Sequence, residues 1–457
     1  MRDLRSYLET LPDSQLERVS KSVNPAEFDV TAILQNLENE DRYPAVLFEN
    51  PTDIEGRETD FRLISNVFAD RRRIAQALDL STDEWRMETS LEYGRRETNR
   101  QEPVVVDTDD APVMEDAVPD LTHLPVVRHH RLDPAPYINM TPTMKDPESG
   151  VYNVAFLRNM VKGGEEMGIH MSPRHNFRIY KTNEDRGERT RMAVTIGHHP
   201  SYYLGALTLA GFEVDEYDVI GGMFGDPLRL TPSKTWGDEF LVPADAEVIV
   251  EAEVLPEVRE TEAPFGEFPG YYGPQRLKPV VEVKNVVCRS DPIFQHVFVG
   301  HKDVATLGGV PKEGGIYNDI QGRVPSVEQV HLPSSGCGRF RCYVSLEQTT
   351  EGEAKHAALQ ALASSDFIKH VVVVDEDVDA FDEEEVLWAQ STRVRADEDI
   401  DIINGVKGNT LDPSVRGEVA TSKIIIDATK PVDEQYPPVL DIPEDALERM
   451  TLTEYLD

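Results

Sequence analysis

The chain has 457 residues, more than one ordinary core can organise, so two or three domains are expected. It carries 84 Asp and Glu against 46 Lys and Arg, a formal net charge of -38. Acid spread along the whole chain excludes a nucleic-acid partner and an anionic membrane surface, since both need a basic face. It predicts a halophilic protein, from a salt-accumulating cytoplasm in which molar salt shortens the Debye length to ~3 Å.

In chain order, residues 4–11 and 31–37 predict short helices, and 44–48 (Pro44-Ala45-Val46-Leu47-Phe48) a buried strand. Apolar residues at helical spacing over 61–80 (Leu63, Ile64, Val67, Phe68, Ile74, Leu78) predict a longer helix. A polar, acidic stretch near 100–120 predicts a boundary. Strands are then expected at 152–157, 192–196, 247–254, 280–287 and 293–299, with helices at 202–209 and 217–224. Helices are expected again at 353–362 and 383–390, around a buried strand at 371–374, and a last helix at 444–455. The fold class is α/β (α+β) in three parts: an N-terminal α/β domain over 1–120, a strand-rich domain over 121–305 and a C-terminal α/β domain over 306–440. Residues 441–457 would pack on their own domain or dock on a second subunit.

Three cysteines, Cys288, Cys337 and Cys342, fit neither a disulfide framework nor a zinc-ligand spacing. The start, Met1-Arg2-Asp3-Leu4, lacks a signal-peptide hydrophobic stretch, and no apolar run approaches ~18 residues. A soluble, cytoplasmic chain without a membrane span is expected.

One run concentrates chemistry: Glu262-Ala263-Pro264-Phe265-Gly266-Glu267-Phe268-Pro269-Gly270-Tyr271-Tyr272. A carboxyl group against an aromatic wall loses hydration and moves toward the range of a general acid. On a regular strand an offset of five would separate Glu262 and Glu267 onto opposite faces, but Pro264 and Gly266 could bend the chain so that both converge. The adjacent pairs His129-His130 and His198-His199 read as loop or surface residues, and Lys369 as facing solvent. His175, five beyond His170, could line a site. Gly308-Gly309 and Gly314-Gly315 read as a mobile connection, without the Lys-Ser/Thr of a Walker loop.

Asn153-Val154-Ala155-Phe156-Leu157-Arg158, then His170, then Glu216-Tyr217, then the run 262–272 resemble the UbiD family in order and spacing. Residues 44–50 (PAVLFEN), Gly205-Ala206-Leu207-Thr208 before Glu216, Val371 to Asp379, and Leu387 to Arg393 extend the resemblance nearly end to end. It implies a reversible decarboxylase of an α,β-unsaturated or aromatic acid, releasing CO2 and using prenylated FMN. Loss of CO2 from an sp2 carbon leaves a carbanion that side chains alone cannot stabilise, hence the cofactor. It further implies a central split-barrel flavin-binding domain, a flavin prenyltransferase as cofactor supplier, and a homodimer or homohexamer.

By the same resemblance Arg158 is the carboxylate clamp, Glu267 the proton donor and Glu262 the acid coupled to the clamp. Asn153, Ala155, Phe156, Leu157, Arg158, His170, Gly205, Ala206, Leu207 and Glu216 surround the cofactor. Asn153, His170 and Glu216 hold a divalent ion, Mn2+ or Mg2+, at its phosphate, with K+ as a further candidate. Two other readings compete: a metal-dependent hydrolase using Asn153, His170 and Glu216 with Glu267 as base, and a non-catalytic cofactor-binding subunit.

Overall fold

The helix Leu4–Thr10 opens the chain, capped by Asp3, whose carboxylate accepts from the Ser6 N–H at 2.8 Å. The computed structural model describes residues 2–415, 420–433, 435–450 and 452–455. A four-stranded sheet follows, in the order Leu16–Val19, Ala45–Phe48, Arg62–Ser65, Ile293–Gln295. Its last strand comes from beyond the barrel, so the N-terminal layer cannot be completed without the middle of the chain. One apolar core accordingly runs through both, from Leu4 and Phe48 to Met192, Val250 and Phe294.

The middle of the chain is a closed six-stranded barrel. Its order is Thr190–Ile196, Val248–Glu262, Arg276–Cys288, Glu166–His170, Leu157–Val161, Tyr137–Lys145, every pair antiparallel. Residues 141–144 pair back with 192–195 and close the ring, which removes both sheet edges. Beyond it, the 20-residue helix Lys302–Gln321 leads into a five-stranded sheet: Val327–His331, Arg341–Leu346, His370–Asp375, Ala420–Ala428, Ile400–Lys407. That sheet has an apolar core of its own around Val344, Val371 and Ile425. Among the described residues no helix is long and apolar enough to cross a membrane.

Several expectations are corrected. The helix expected over 61–80 is a strand, Arg62–Ser65, and only then a helix, Arg71–Ala77. Leu63 and Ile64 are adjacent yet both buried, because the strand is covered on two faces, and such a run mimics helical spacing. The connection expected at Gly308 to Gly315 lies inside the helix Lys302–Gln321, Pro311 included. Gly314 is a packing device there: a Cβ on it would stand 2.4 Å from the Ser90 carbonyl oxygen. The expected last helix is two, Glu444–Arg449 and Leu452–Tyr455, with Thr451 outside the described residues.

The paired histidines are not surface residues: His129, His198 and His199 are buried. Aromatic contact explains it. His198 stacks on Tyr202 with centroids 4.7 Å apart, and the His129 and His296 Nε2 atoms are 3.2 Å apart. Burial pushes His198, His199 and His296 down to about 3, so they stay neutral. Lys369 does not project into solvent either; its Nζ donates to Asp412 and to Ser414, each at 2.6 Å.

Candidate active site

The barrel strand Val248–Glu262 delivers Glu262 as its last residue. Ala263, at φ 74, and Pro264 then turn the chain sharply. Phe265–Gly266 pairs with Tyr272–Gly273, and Glu267 lies just inside that small hairpin, its N–H donating to the Tyr271 carbonyl at 2.9 Å. The bend turns an offset of five into convergence on Arg158, which projects from Leu157–Val161. Arg158 Nε and Nη2 donate to the two oxygens of Glu262 at 2.8 and 3.0 Å, and Nη1 donates to Glu267.

This trio is charge-assisted and largely dry. Glu262 is fully buried, and the Arg158 guanidinium lies 4.9 Å from the centre of the Phe265 ring. Burial alone would lower the Arg158 pKa, but bonding to Glu262 and the charge of Glu267 outweigh it and hold it above the ordinary value. The fork-on-fork grip on Glu262 offsets the desolvation of both charges. Glu267 is the more accessible acid, its side chain 17% exposed against 1% for Glu262. A Cβ at Gly273 would fall 2.7 Å from Glu267 Oε1, so glycine there keeps room for that carboxylate.

Asn139, Arg158 and His170 stand directly opposite one another on three neighbouring strands and share one face. His170 Nδ1 is buried without a hydrogen-bond partner among the described residues. Burial, then the charge of Arg158, push this imidazole down to about 3. His170 therefore belongs to the row of the clamp.

At the other end the structure brings together Asn153, His175 and Glu216. This corrects the expected grouping, which had His170 in place of His175; the two lie on different elements, a barrel strand and the helix His175–Glu184. His175 Nδ1 is 3.0 Å from Asn153 Oδ1 and 4.0 Å from Glu216 Oε1. Asn153 Nδ2 donates to Asn176 Oδ1 at 2.8 Å, which aims its carbonyl oxygen at the imidazole.

Glu216 is buried and accepts from the Val154 N–H, with no Lys or Arg ion pair among the described residues. Burial raises its pKa well above the carboxylate range. A buried carboxylate, an amide oxygen and an imidazole without a cation are a donor set that suits a divalent ion such as Mn2+. Glu216 and His175 also open two helices, Glu216–Phe224 and His175–Glu184, whose N-termini favour an anion. These residues fit a metal-bridged phosphate.

Ala155 and Phe156 bridge Tyr152–Val154 and Leu157–Val161, and so join the two ends of the site; Phe156 packs 5.6 Å from Tyr203. Gly205, at the end of Pro200–Gly205, is a close-packing glycine whose Cβ would lie 2.6 Å from Ile220 Cγ1. Ala206 and Leu207 follow it in a turn beside the helix that carries Glu216. Asn176, as the residue that orients Asn153, was not anticipated. Ser172-Pro173 ahead of Phe177 and Tyr180 at i, i+3 spacing is the helix-start signal that could have pointed to it and to His175.

A family model described as the 3-octaprenyl-4-hydroxybenzoate carboxy-lyase Rift-related domain matches residues 104–302. The corresponding C-terminal and N-terminal domain models match 305–428 and 12–88. The phenolic acid decarboxylase of Sedimentibacter hydroxybenzoicus is 32% identical over 451 residues, 94% of this chain and 92% of that one. The chain belongs to the UbiD family. It is thus a carboxy-lyase of the UbiD class, with the three-domain architecture of that class.

Anhydromevalonate phosphate decarboxylase of Methanothermobacter thermautotrophicus is 36% identical over 314 residues, 68% of this chain and 74% of that one. The UbiD-class enzyme HmfF from Pelotomaculum thermopropionicum, solved with FMN, superposes with a TM-score of 0.91 at 34% identity, over 99% of this chain and 100% of that one. An evolved dimeric form of HmfF with prFMN gives a TM-score of 0.88 at 32% identity, over 100% of both chains.

Proposed function

We propose that this UbiD-family chain decarboxylates an α,β-unsaturated or aromatic carboxylic acid with bound prenylated FMN, Arg158 acting as carboxylate clamp and Glu267 as proton donor. One observation carries the reading: a single guanidinium grips a fully buried Glu262 on one edge and a more accessible Glu267 on the other. Prenylated FMN supplies the electron sink for the carbanion that loss of CO2 would leave.

The residues divide the remaining work. Glu262 stays locked on Nε and Nη2 and fixes the plane of the fork. Glu267 holds Nη1 only, so an incoming substrate carboxylate can take that donor; the freed and partly exposed Glu267 carboxylate takes up a proton from solvent as the substrate enters and delivers it to the carbon that lost CO2. Phe265, Tyr137 and the closed barrel exclude water from the exchange. Asn153, His175 and Glu216 would hold a divalent cation at the cofactor phosphate, a task of anchoring and charge neutralisation. One relative above acts on anhydromevalonate phosphate and another on phenolic acids by name, and both kinds of acid fall within this proposal.

Replacing Glu267→Gln tests it. Turnover of holoenzyme is expected to fall by about 10^2–10^4-fold while the released flavin stays near one per chain. Unchanged turnover would remove Glu267 from the mechanism. We also propose that the net charge of -38 makes folding salt-dependent: far-ultraviolet circular dichroism should report loss of structure on dialysis from molar KCl to low salt, and full retention would sink that reading.

A further inference from the structure

Glu267 hangs on a very short hairpin, Phe265–Gly266 against Tyr272–Gly273, and a hairpin of that size does not hold a carboxylate in place unaided. The Glu267 N–H points across the hairpin, to the Tyr271 carbonyl. Successive N–H groups of a strand point to opposite sides, so the Gly266 N–H points out of the hairpin and into the protein. There it donates to Asp133 Oδ1 at 3.3 Å.

Asp133 is fully buried and closes a tight turn with His130. Its N–H donates to the His130 carbonyl at 3.0 Å, and its Oδ2 accepts from the His130 N–H at 2.8 Å. Arg128 Nε donates to the Asp133 main-chain carbonyl at 2.8 Å. Among the described residues no Lys or Arg makes an ion pair with the Asp133 carboxylate. The His130 imidazole, 3.8 Å away, stays neutral, because burial and then the charge of His301 push it down to about 4. Burial raises Asp133 to about 6, while the backbone donors and the charge of Arg128 pull against that rise. At neutral pH the carboxylate is therefore charged and is answered by main-chain N–H groups.

Two further contacts press this turn onto the hairpin. A Cβ on Gly266 would be 2.3 Å from His130 Nδ1, so glycine there lets the imidazole lie on the backbone. The Leu132 N–H donates to the Tyr272 hydroxyl at 3.0 Å and so holds the opposite strand. The turn is tied to the barrel in its turn: the strand Tyr137–Lys145 begins four residues beyond Asp133, and its Tyr137 N–H donates to the Val127 carbonyl at 3.0 Å. Asn139 of that strand stands opposite Arg158. Asp133 thus links the backbone that carries the proton donor to the strand pair that carries the clamp.

We propose that Asp133 is a positioning residue: its two carboxylate oxygens, one on the His130 N–H and one on the Gly266 N–H, set Glu267 against Arg158 Nη1 and against the carbon to be protonated. This deepens the decarboxylase reading and rests on it. Proton delivery tolerates little displacement, for a shift of about 1 Å can cost about 10^2-fold. A carboxylate suits the place because it accepts on both oxygens. An amide accepts on one and would turn its NH2 toward the other N–H.

Asp133→Asn tests this at nearly unchanged volume. In holoenzyme, hydrogen exchange read by mass spectrometry on peptides covering 263–273 should quicken at least about tenfold, with the five-stranded C-terminal sheet unchanged. With cinnamate and 4-hydroxybenzoate as probe acids, kcat should fall about 10–100-fold while KM stays within about twofold, because Arg158 still receives the substrate carboxylate. Tyr272→Phe, at an exposed position, loosens the same hairpin from its other strand and keeps the test decisive if Asp133→Asn does not fold. It should quicken exchange over 263–273 and lower kcat about threefold at unchanged KM.

Unchanged exchange over 263–273, or exchange quickened alike throughout the chain, overturns the brace. So does a loosened hairpin with kcat within about twofold of wild type, or a loss carried by KM alone. If wild type decarboxylates neither acid, the decarboxylase reading fails for those acids, and exchange over 263–273 still decides whether Asp133 holds the hairpin.

Discussion

Glu262 and Glu216 are both buried, and the chain treats them in opposite ways. Glu262 receives two charged hydrogen bonds from Arg158, so its charge is answered by the protein itself. Glu216 receives a backbone N–H and stands 4.0 Å from an imidazole that burial, with Arg174 and Arg178, keeps below its ordinary pKa. The charge of Glu262 is thus answered within the protein, whereas Glu216 meets no Lys or Arg ion pair among the described residues. The lesson is that a buried carboxylate reports what its surroundings lack, and the lack differs along one continuous site.

The comparison is broken most severely at the clamp. Arg158→Met leaves Glu262 buried without its cation, which is expected to lower stability by about 3–5 kcal/mol. Any folded fraction should lose about 10^2–10^3-fold in kcat/KM, since a charge donor at the reacting carboxylate has gone. Thermal unfolding in molar KCl and turnover on holoenzyme measure the two losses. A variant as stable as wild type would show that Glu262 does not depend on Arg158.

A smaller effect separates the two histidines. His175→Asn should weaken Mn2+ binding at least about tenfold, and His170→Asn should leave it within about twofold. Titration of metal-free protein followed by electron paramagnetic resonance reads the free ion. The reverse order would return His170 to the metal and place His175 outside it.

The histidine exchange shows how far local pattern carries. The convergence of Glu262 and Glu267 was legible because Pro264 and Gly266 announce a bend, and the bend is there at Ala263 and Pro264, whereas Arg158 was reached only through the resemblance, for its segment holds neither Pro nor Gly. The choice between His170 and His175 depends on where one strand ends and the next helix begins. Both residues lie within a few positions of that boundary, and only tertiary packing settles which of them turns toward Glu216. The helix Lys302–Gln321 was hidden for a related reason: its glycines and Pro311 read as breakers, yet the Ser90 backbone presses so closely on Gly314 that a larger residue would not fit there. Burial of His129, His198 and His199 was equally invisible, since a neutral imidazole in an aromatic cluster leaves no periodic trace.

The finest test of the comparison is the pH dependence of stability without metal. Burial raises the pKa of Glu216 in the folded state, so the folded chain holds that proton more tightly than the unfolded one. The stabilisation is full below the ordinary carboxylate range and is lost as pH rises through the folded-state value. Asp133 and Asp215, each raised by burial to about 6, add slopes of the same sign, so the difference between variants is what isolates Glu216. Glu216→Gln should flatten part of the decline and make the metal-free protein more stable at pH 7 by about 1 kcal/mol. Added Mn2+ should reverse the order, because a ligand that binds only the folded state stabilises the chain that can hold it. Identical pH slopes for wild type and variant, or equal stabilisation of both by Mn2+, would mean that Glu216 already has its counter-charge within the protein and that the two ends of the site do not differ.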